Sequence, residues 1–154
     1  MNQTQAKSRM AAEKYRKRVS ALLKSLPGAQ AVPLGNGHLS LEVHGKRFGW
    51  FLDDHHGDGR IALNLKAPKG AGQRLAEFAP DRFHVPRYLG RRGWVGIWLD
   101  PPATDWVEIK ELLESACQLT PPGAQTKNLQ SNRRNTKSIA TFEAGSARRR
   151  ARSV

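Results

Sequence analysis

The chain lacks what several classes of protein require. It has one cysteine, Cys117, in 154 residues, which excludes an intramolecular disulfide framework and any cysteine-rich zinc site. It has no uninterrupted apolar run of about 18 residues, the length a helix needs to span a bilayer. The opening stretch, Met1 to Arg18, is polar and basic and lacks the apolar segment of a secretory signal. These absences lead us to expect a reducing, cytoplasmic location with no membrane partner. Gly70-Ala71-Gly72 has neither the spacing nor the Lys-Ser/Thr pair of a phosphate loop. No two carboxylates have an interpretable catalytic spacing, and there is no internal repeat. The expectation is therefore a protein that is not an enzyme and takes no cofactor.

Acids are the other scarcity. Thirteen Asp and Glu face 26 Lys and Arg, for a net charge of +13. Apolar residues make up 38%, below the roughly 45–50% of a soluble globular chain, so part of the chain adds nothing to a core. The excess charge is confined to the two ends. Residues 1–26 hold seven Lys/Arg and one acid, residues 27–122 hold eleven of each, and residues 123–154 hold eight and one. We divide the chain into a basic N-terminal extension (1–9), a folded domain (10–122) and a basic C-terminal tail (123–154). The tail is rich in Ser, Asn, Thr, Gln, Ala and Arg and has no sustained apolar period. It cannot bury enough surface to offset chain entropy, and disorder is expected. Its cluster Arg148, Arg149, Arg150 draws polyanions by counterion release, whatever their sequence. A tail that only aids solubility is the alternative.

Periodicity predicts a helix over 7–26, with Tyr15, Val19, Leu22, Leu23 and Leu26 on one side and Lys7, Lys14, Lys17, Arg18 and Lys24 opposite. Leu39, Leu41 and Val43 alternate with polar residues, and Phe48, Trp50 and Leu52 follow Gly45, so the two runs read as a hairpin. Ile61, Leu63 and Leu65 give a third strand, and a short helix is expected around 71–78. Residues 79–92 read as an extended segment with a turn near Leu89-Gly90. Trp94 to Leu99 forms a strand, and Thr104 is placed to cap a last helix carrying Trp106, Ile109, Leu112, Leu113 and Ala116. The four tryptophans, Trp50, Trp94, Trp98 and Trp106, are expected in the core. Strands joined by short turns pair antiparallel, and helices on one face complete a two-layer α+β domain.

Several segments, taken in order, resemble the MmcQ/YjbR family of small, mostly bacterial proteins. They are Glu42-Val43-His44-Gly45-Lys46-Arg47-Phe48, Ala62-Leu63-Asn64-Leu65-Lys66, Phe83-His84-Val85-Pro86-Arg87-Tyr88 with Gly93-Trp94-Val95, and Leu112-Leu113-Glu114-Ser115-Ala116-Cys117 with Leu119 and Pro121. The resemblance covers about residues 10–122. It implies an α-β-β-β-α-β-β-α fold with an antiparallel sheet covered by helices on one face. It also implies a DNA-binding role, because the family carries that name from the double-wing look of its hairpins. The chain departs from the family pattern at Cys117, where relatives often have an aromatic, and in its long basic tail.

The residues themselves offer a compatible chemistry. Lys46 and Arg47 lie at the hairpin, Lys66 and Lys69 at the end of the third strand, and Arg87, Arg91 and Arg92 before Trp94. Three segments of a small sheet can bring these cations to one rim, where they would contact phosphates. Tyr88 is a candidate to stack on an exposed base. The expected partner is nucleic acid, DNA before RNA, bound with little sequence specificity, and a monomer is favoured. The competing reading is a protein-interaction module that uses an exposed sheet face, with the tail serving solubility alone. An enclosed polar pocket around His84 would instead point to an enzyme. His55-His56 is better read as a hydrophilic turn than as a metal site, since adjacent extended residues point opposite ways. Cys117, beside Ala116 with no adjacent histidine, reads as a structural thiol.

Overall fold

The computed structural model describes residues 2–100 and 104–123. Helix α1 spans Gln3–Lys24, strands β1 to β4 span Ala29–Gly35, His38–Val43, Lys46–Asp53 and Ile61–Lys66, and α2 spans Ala71–Phe78. Strands β5 (Phe83–His84) and β6 (Trp94–Trp98) and helix α3 (Trp106–Gln118) complete the chain order. The sheet is antiparallel throughout, in the order β1-β2-β3-β4-β6-β5. The fold is α+β, with the helices packed on the sheet. The tail cluster Arg148–Arg150 lies outside the described residues.

Alternation in the strands separates two faces. Leu39, Leu41, Leu63, Leu65, Val95 and Ile97 point to the helix layer. There they join Val19 and Leu23 of α1, Leu75 of α2 and Ile109, Leu112 and Leu113 of α3 in one buried cluster. Between Leu41 and Glu42 the β2–β3 pairing slips by one residue, a bulge in β3. The extra residue lets Phe48 and Phe51, three apart, both reach the core, each fully buried. Gly49 makes this possible, because a Cβ there would lie 2.6 Å from Leu65 Cδ2.

Strand β1 adds to the three strands expected before α2. Its Ala-Gln-Ala-Val-Pro-Leu-Gly sequence has little apolar alternation, and it is mostly half-buried or exposed. It forms the sheet edge, where proline is tolerated because one side of the strand needs no donor. The cap of α3 also differs from expectation. Asp105 is the N-cap, accepting from the backbone N–H groups of Val107 and Glu108, while the Thr104 hydroxyl donates to the Leu99 carbonyl.

Candidate functional site

The face of the sheet away from the helix layer holds the unusual chemistry. Strand register sets Ser40, Trp50, Asn64, Gly96 and His84 in one row across five strands. Leu52, Ala62 and Trp98 form the next row, and Lys66 pairs with Trp94. Three of the four tryptophans expected in the core thus belong to this second face. Sequence alternation could not assign them, because β4 and β6 are buried on both sides and read as nearly continuous apolar runs. Trp106 alone packs at the helix layer, stacked on Tyr15 with its centroid 5.7 Å away.

The tryptophan rings do not lie bare. The Arg47 guanidinium sits 4.7 Å from the centre of Trp50, which meets Trp94 at 4.9 Å. Arg60 lies 3.8 Å from the centre of Trp98, whose ring stacks with His84 at 4.0 Å. Guanidinium groups favour such positions because they are planar and weakly hydrated. His84 lies flat over Gly96, where a Cβ would come within 2.1 Å of its Nε2. Burial, then the positive charge of Arg60, lowers the His84 pKa, so the ring is neutral at pH 7.

The two ends of the sheet differ in charge pairing. At one end lie the β2–β3 hairpin tip, the C-terminus of β4 and the start of β6. Lys46 and Arg47 stand at the tip, and Lys66 ends β4 opposite Trp94. The loop after β4 is tied to the turn before β6 by the Ala67 N–H donating to the Gly93 carbonyl at 2.7 Å. A Cβ on Gly93 would approach the Lys69 backbone to 3.6 Å. Arg91 and Arg92 belong to that same turn. The sequence-proposed cations Lys46, Arg47, Lys66, Lys69, Arg91 and Arg92 therefore share one end. Arg87 projects from the loop between β5 and that turn. Among the described residues none of these seven is in an ion pair. Glu42 is nearby, linked to the Arg47 guanidinium through the Ser40 hydroxyl, which donates to Glu42 and accepts from Arg47. Burial, then the repulsion of Lys46, lowers the pKa of Lys66.

At the opposite end three arginines have carboxylate partners. Arg60 makes two hydrogen bonds to Asp100, at 2.9 and 3.1 Å. Arg16 meets Asp53 at 3.2 Å. Arg82 pairs with Glu108, which is only 1% exposed. A wide groove of about 1580 Å³ between α1 and the β3–β4 connector lies at this end. Its wall includes the paired Arg16 and Asp53.

A smaller hollow of about 530 Å³ opens on the second face, floored by Trp50, Ala62, Asn64, Trp98 and His84. Segments 55–60 and 85–89 form its walls. Tyr88 stands at its lip, 92% exposed, with φ +65°. Asn64 and Arg60 were missed by sequence reasoning. The available signal was parity, since Ala62, Asn64 and Lys66 alternate with the core residues of β4. His55 and His56 fall in a short turn. Among the described residues no three His, Cys, Asp or Glu side chains come together as a metal-binding group, and no helix is long and apolar enough to cross a membrane.

A six-stranded antiparallel sheet, layered with helices and ending in a cationic rim, defines a small α+β protein with a two-sided sheet. The chain belongs to the YjbR family, whose model matches residues 24–119. The match begins at the last residue of α1, so most of that helix lies outside it. The fold is similar to the crystal structure of Deinococcus radiodurans protein DR2400, a protein with a DUF419 domain. The two share 18% identity and a TM-score of 0.57, over 74% of this chain and 85% of that one. No curated protein matches the chain in sequence.

Proposed function

We propose that the protein binds nucleic acid, with DNA the first candidate, through phosphate contacts at the hairpin end of the sheet and with little sequence specificity. The observation that carries this reading is the gathering of Lys46, Lys66, Lys69, Arg91 and Arg92 at one end without a carboxylate bridge, with Arg47 beside them and joined to Glu42 only through Ser40. Exposed cations gathered on one rim attract polyanions, and a nucleic-acid phosphate backbone gains affinity there by releasing its counterions. The tail cluster Arg148, Arg149 and Arg150 adds non-specific attraction. Two observations weigh against the competing readings. A protein-docking face calls for exposed apolar surface, yet Trp94 is 7% exposed and Trp50 and Trp98 lie beneath guanidinium groups. A catalytic histidine is held by a third group, yet His84 Nδ1 has no hydrogen-bond partner, and we propose no enzymatic role.

The test is a duplex-DNA titration of three full-length chains at about 50 and about 200 mM salt, where phosphate neutralisation dominates the salt dependence. They are the wild type, Lys46→Ala/Arg91→Ala/Arg92→Ala, and Arg148→Gln/Arg149→Gln/Arg150→Gln. The rim variant should bind more weakly, and its log–log salt slope should become shallower by about 0.9 for each phosphate it leaves unneutralised. Wild-type affinity and slope in the rim variant, with weaker binding only in the tail variant, would overturn the reading and leave simple polycation attraction.

A further inference from the structure

We propose that the hollow on the second face receives a single unpaired nucleobase of the bound strand, its plane stacked on Tyr88 and its N–H edge directed to Asn64. This inference rests on the nucleic-acid reading above.

The floor contains two polar atoms with no hydrogen-bond partner, Asn64 Oδ1 and His84 Nδ1, both buried. Asn64 itself is 8% exposed. Buried polar atoms in native proteins are nearly always paired, so two orphans in one hollow call for a reason. A ligand edge carrying N–H donors supplies the missing partner for the asparagine carbonyl. The space suits a ligand of that size, since small-molecule pockets run from about 300 Å³ upward and this one measures about 530 Å³. Ala62 contributes only a methyl, so the floor stays low between Trp50 and Trp98, while His84 fills the space above Gly96.

The wall supplies a stacking partner. Both faces of Trp98 are occupied, by Arg60 at 3.8 Å and His84 at 4.0 Å, and Trp50 is flanked by Arg47 and Trp94. Tyr88 is different. The residue is 92% exposed at the lip, and its backbone has φ +65°. A bulky side chain in the left-handed region is strained, and such strain concentrates at ligand sites. An aromatic side chain held out to water on a strained backbone gains little from folding and much from a planar ligand. Arg87 precedes it, exposed and among the cations without a carboxylate bridge. A nucleotide whose base enters between Tyr88 and Asn64 thus leaves its phosphate near Arg87 and the rest of the strand toward the rim.

The experiment compares three DNA duplexes against the full-length protein: fully paired, the same with one bulged adenosine, and the same with an abasic bulge. Base stacking on one aromatic should make the bulged duplex bind about tenfold more tightly than the paired one, and the abasic bulge should lose that gain. Tyr88→Ala and Asn64→Leu should each remove most of the preference, and Tyr88→Phe should keep it. Affinity for the paired duplex should stay unchanged in all three variants, because it reports the rim and the tail. Equal binding of adenosine and abasic bulges would overturn the inference while leaving the rim reading intact. Adenosine monophosphate supplies the remaining arm. If it saturates the intrinsic fluorescence in a Tyr88-dependent way and DNA does not displace it, the site takes a free nucleotide and the strand-bound proposal falls.

Discussion

The two ends of the sheet use the same cationic side chains for different purposes. At the end bearing Asp53, Asp100 and Glu108, every arginine described above is bonded to a carboxylate. Arg60 lies on Trp98 and bridges to Asp100, and Arg82 reaches the buried Glu108 from the loop before β5. At the hairpin end, Lys46, Arg91 and Arg92 are exposed and make no such bridge. Composition alone cannot separate the two groups, because residues 27–122 contain equal numbers of acids and bases. The neutral total conceals two kinds of cation. Paired cations contribute to the fold, and unpaired ones are available for a partner.

The largest effect should follow from breaking the buried pair at the end where the arginines are paired. Arg82→Ala leaves the Glu108 carboxylate, 1% exposed, without its guanidinium. Removing one partner of a buried ion pair costs about 3–5 kcal/mol, and Arg82→Ala should lower unfolding stability by about 3 kcal/mol in urea. Lys46→Ala/Arg91→Ala should change stability by less than about 0.5 kcal/mol, as exposed substitutions usually do. The comparison breaks if the rim variant is the less stable of the two, or if Arg82→Ala weakens DNA binding while still folded.

The part of this arrangement legible in the sequence was its order, and the part that was not was its pairing. Helix α2 falls at the expected 71–78, and β4 and β6 follow their Ile-Ala-Leu-Asn-Leu and Trp-Val-Gly-Ile-Trp patterns. The rim could be foreseen because turns and strand ends carried its cations, and antiparallel strands return to the same end. Which arginines are neutralised depends on bonds between residues 26 to 40 positions apart, as in Arg82–Glu108, Arg16–Asp53 and Arg60–Asp100. Local pattern contains nothing of this. Strand β1 was hidden for a related reason, since an edge strand with Pro33 buries too little to show a period.

His84 lies between the two ends and sharpens the comparison through pH. Burial, then the Arg60 charge, lowers its pKa from 6.5. Burial and His56 lower that of the nearby His55 as well. Below about pH 6.5 the unfolded chain therefore binds protons that the folded chain resists, so stability rises with pH through this window and falls on acidification. The melting temperature should drop between pH 7.5 and 5.5. His84→Phe keeps a ring over Gly96 and against Trp98, and it should show a smaller drop. An identical drop in both proteins would place the acid sensitivity elsewhere, with His55 the next group to test.

The smallest effect is expected at Cys117, near the end of α3. The segment just beyond this helix reaches the cationic rim, where Lys46 Nζ donates to the Pro121 carbonyl at 3.4 Å. A thiol under the influence of unpaired lysines and arginines has a lowered pKa and alkylates readily. Cys117 is shifted the other way, up to about 12, by burial and then by the Glu114 carboxylate. The thiol is therefore protonated at neutral pH. Iodoacetamide at pH 7.5 should label the native protein far more slowly than the urea-unfolded chain, by at least about tenfold, as expected when the thiolate is the reacting species. Comparable rates in the two states would mean that the cations act on the helix layer as well. The rim would then be a property of the whole hairpin end rather than of its solvent-facing surface, and Lys46→Ala should slow the reaction.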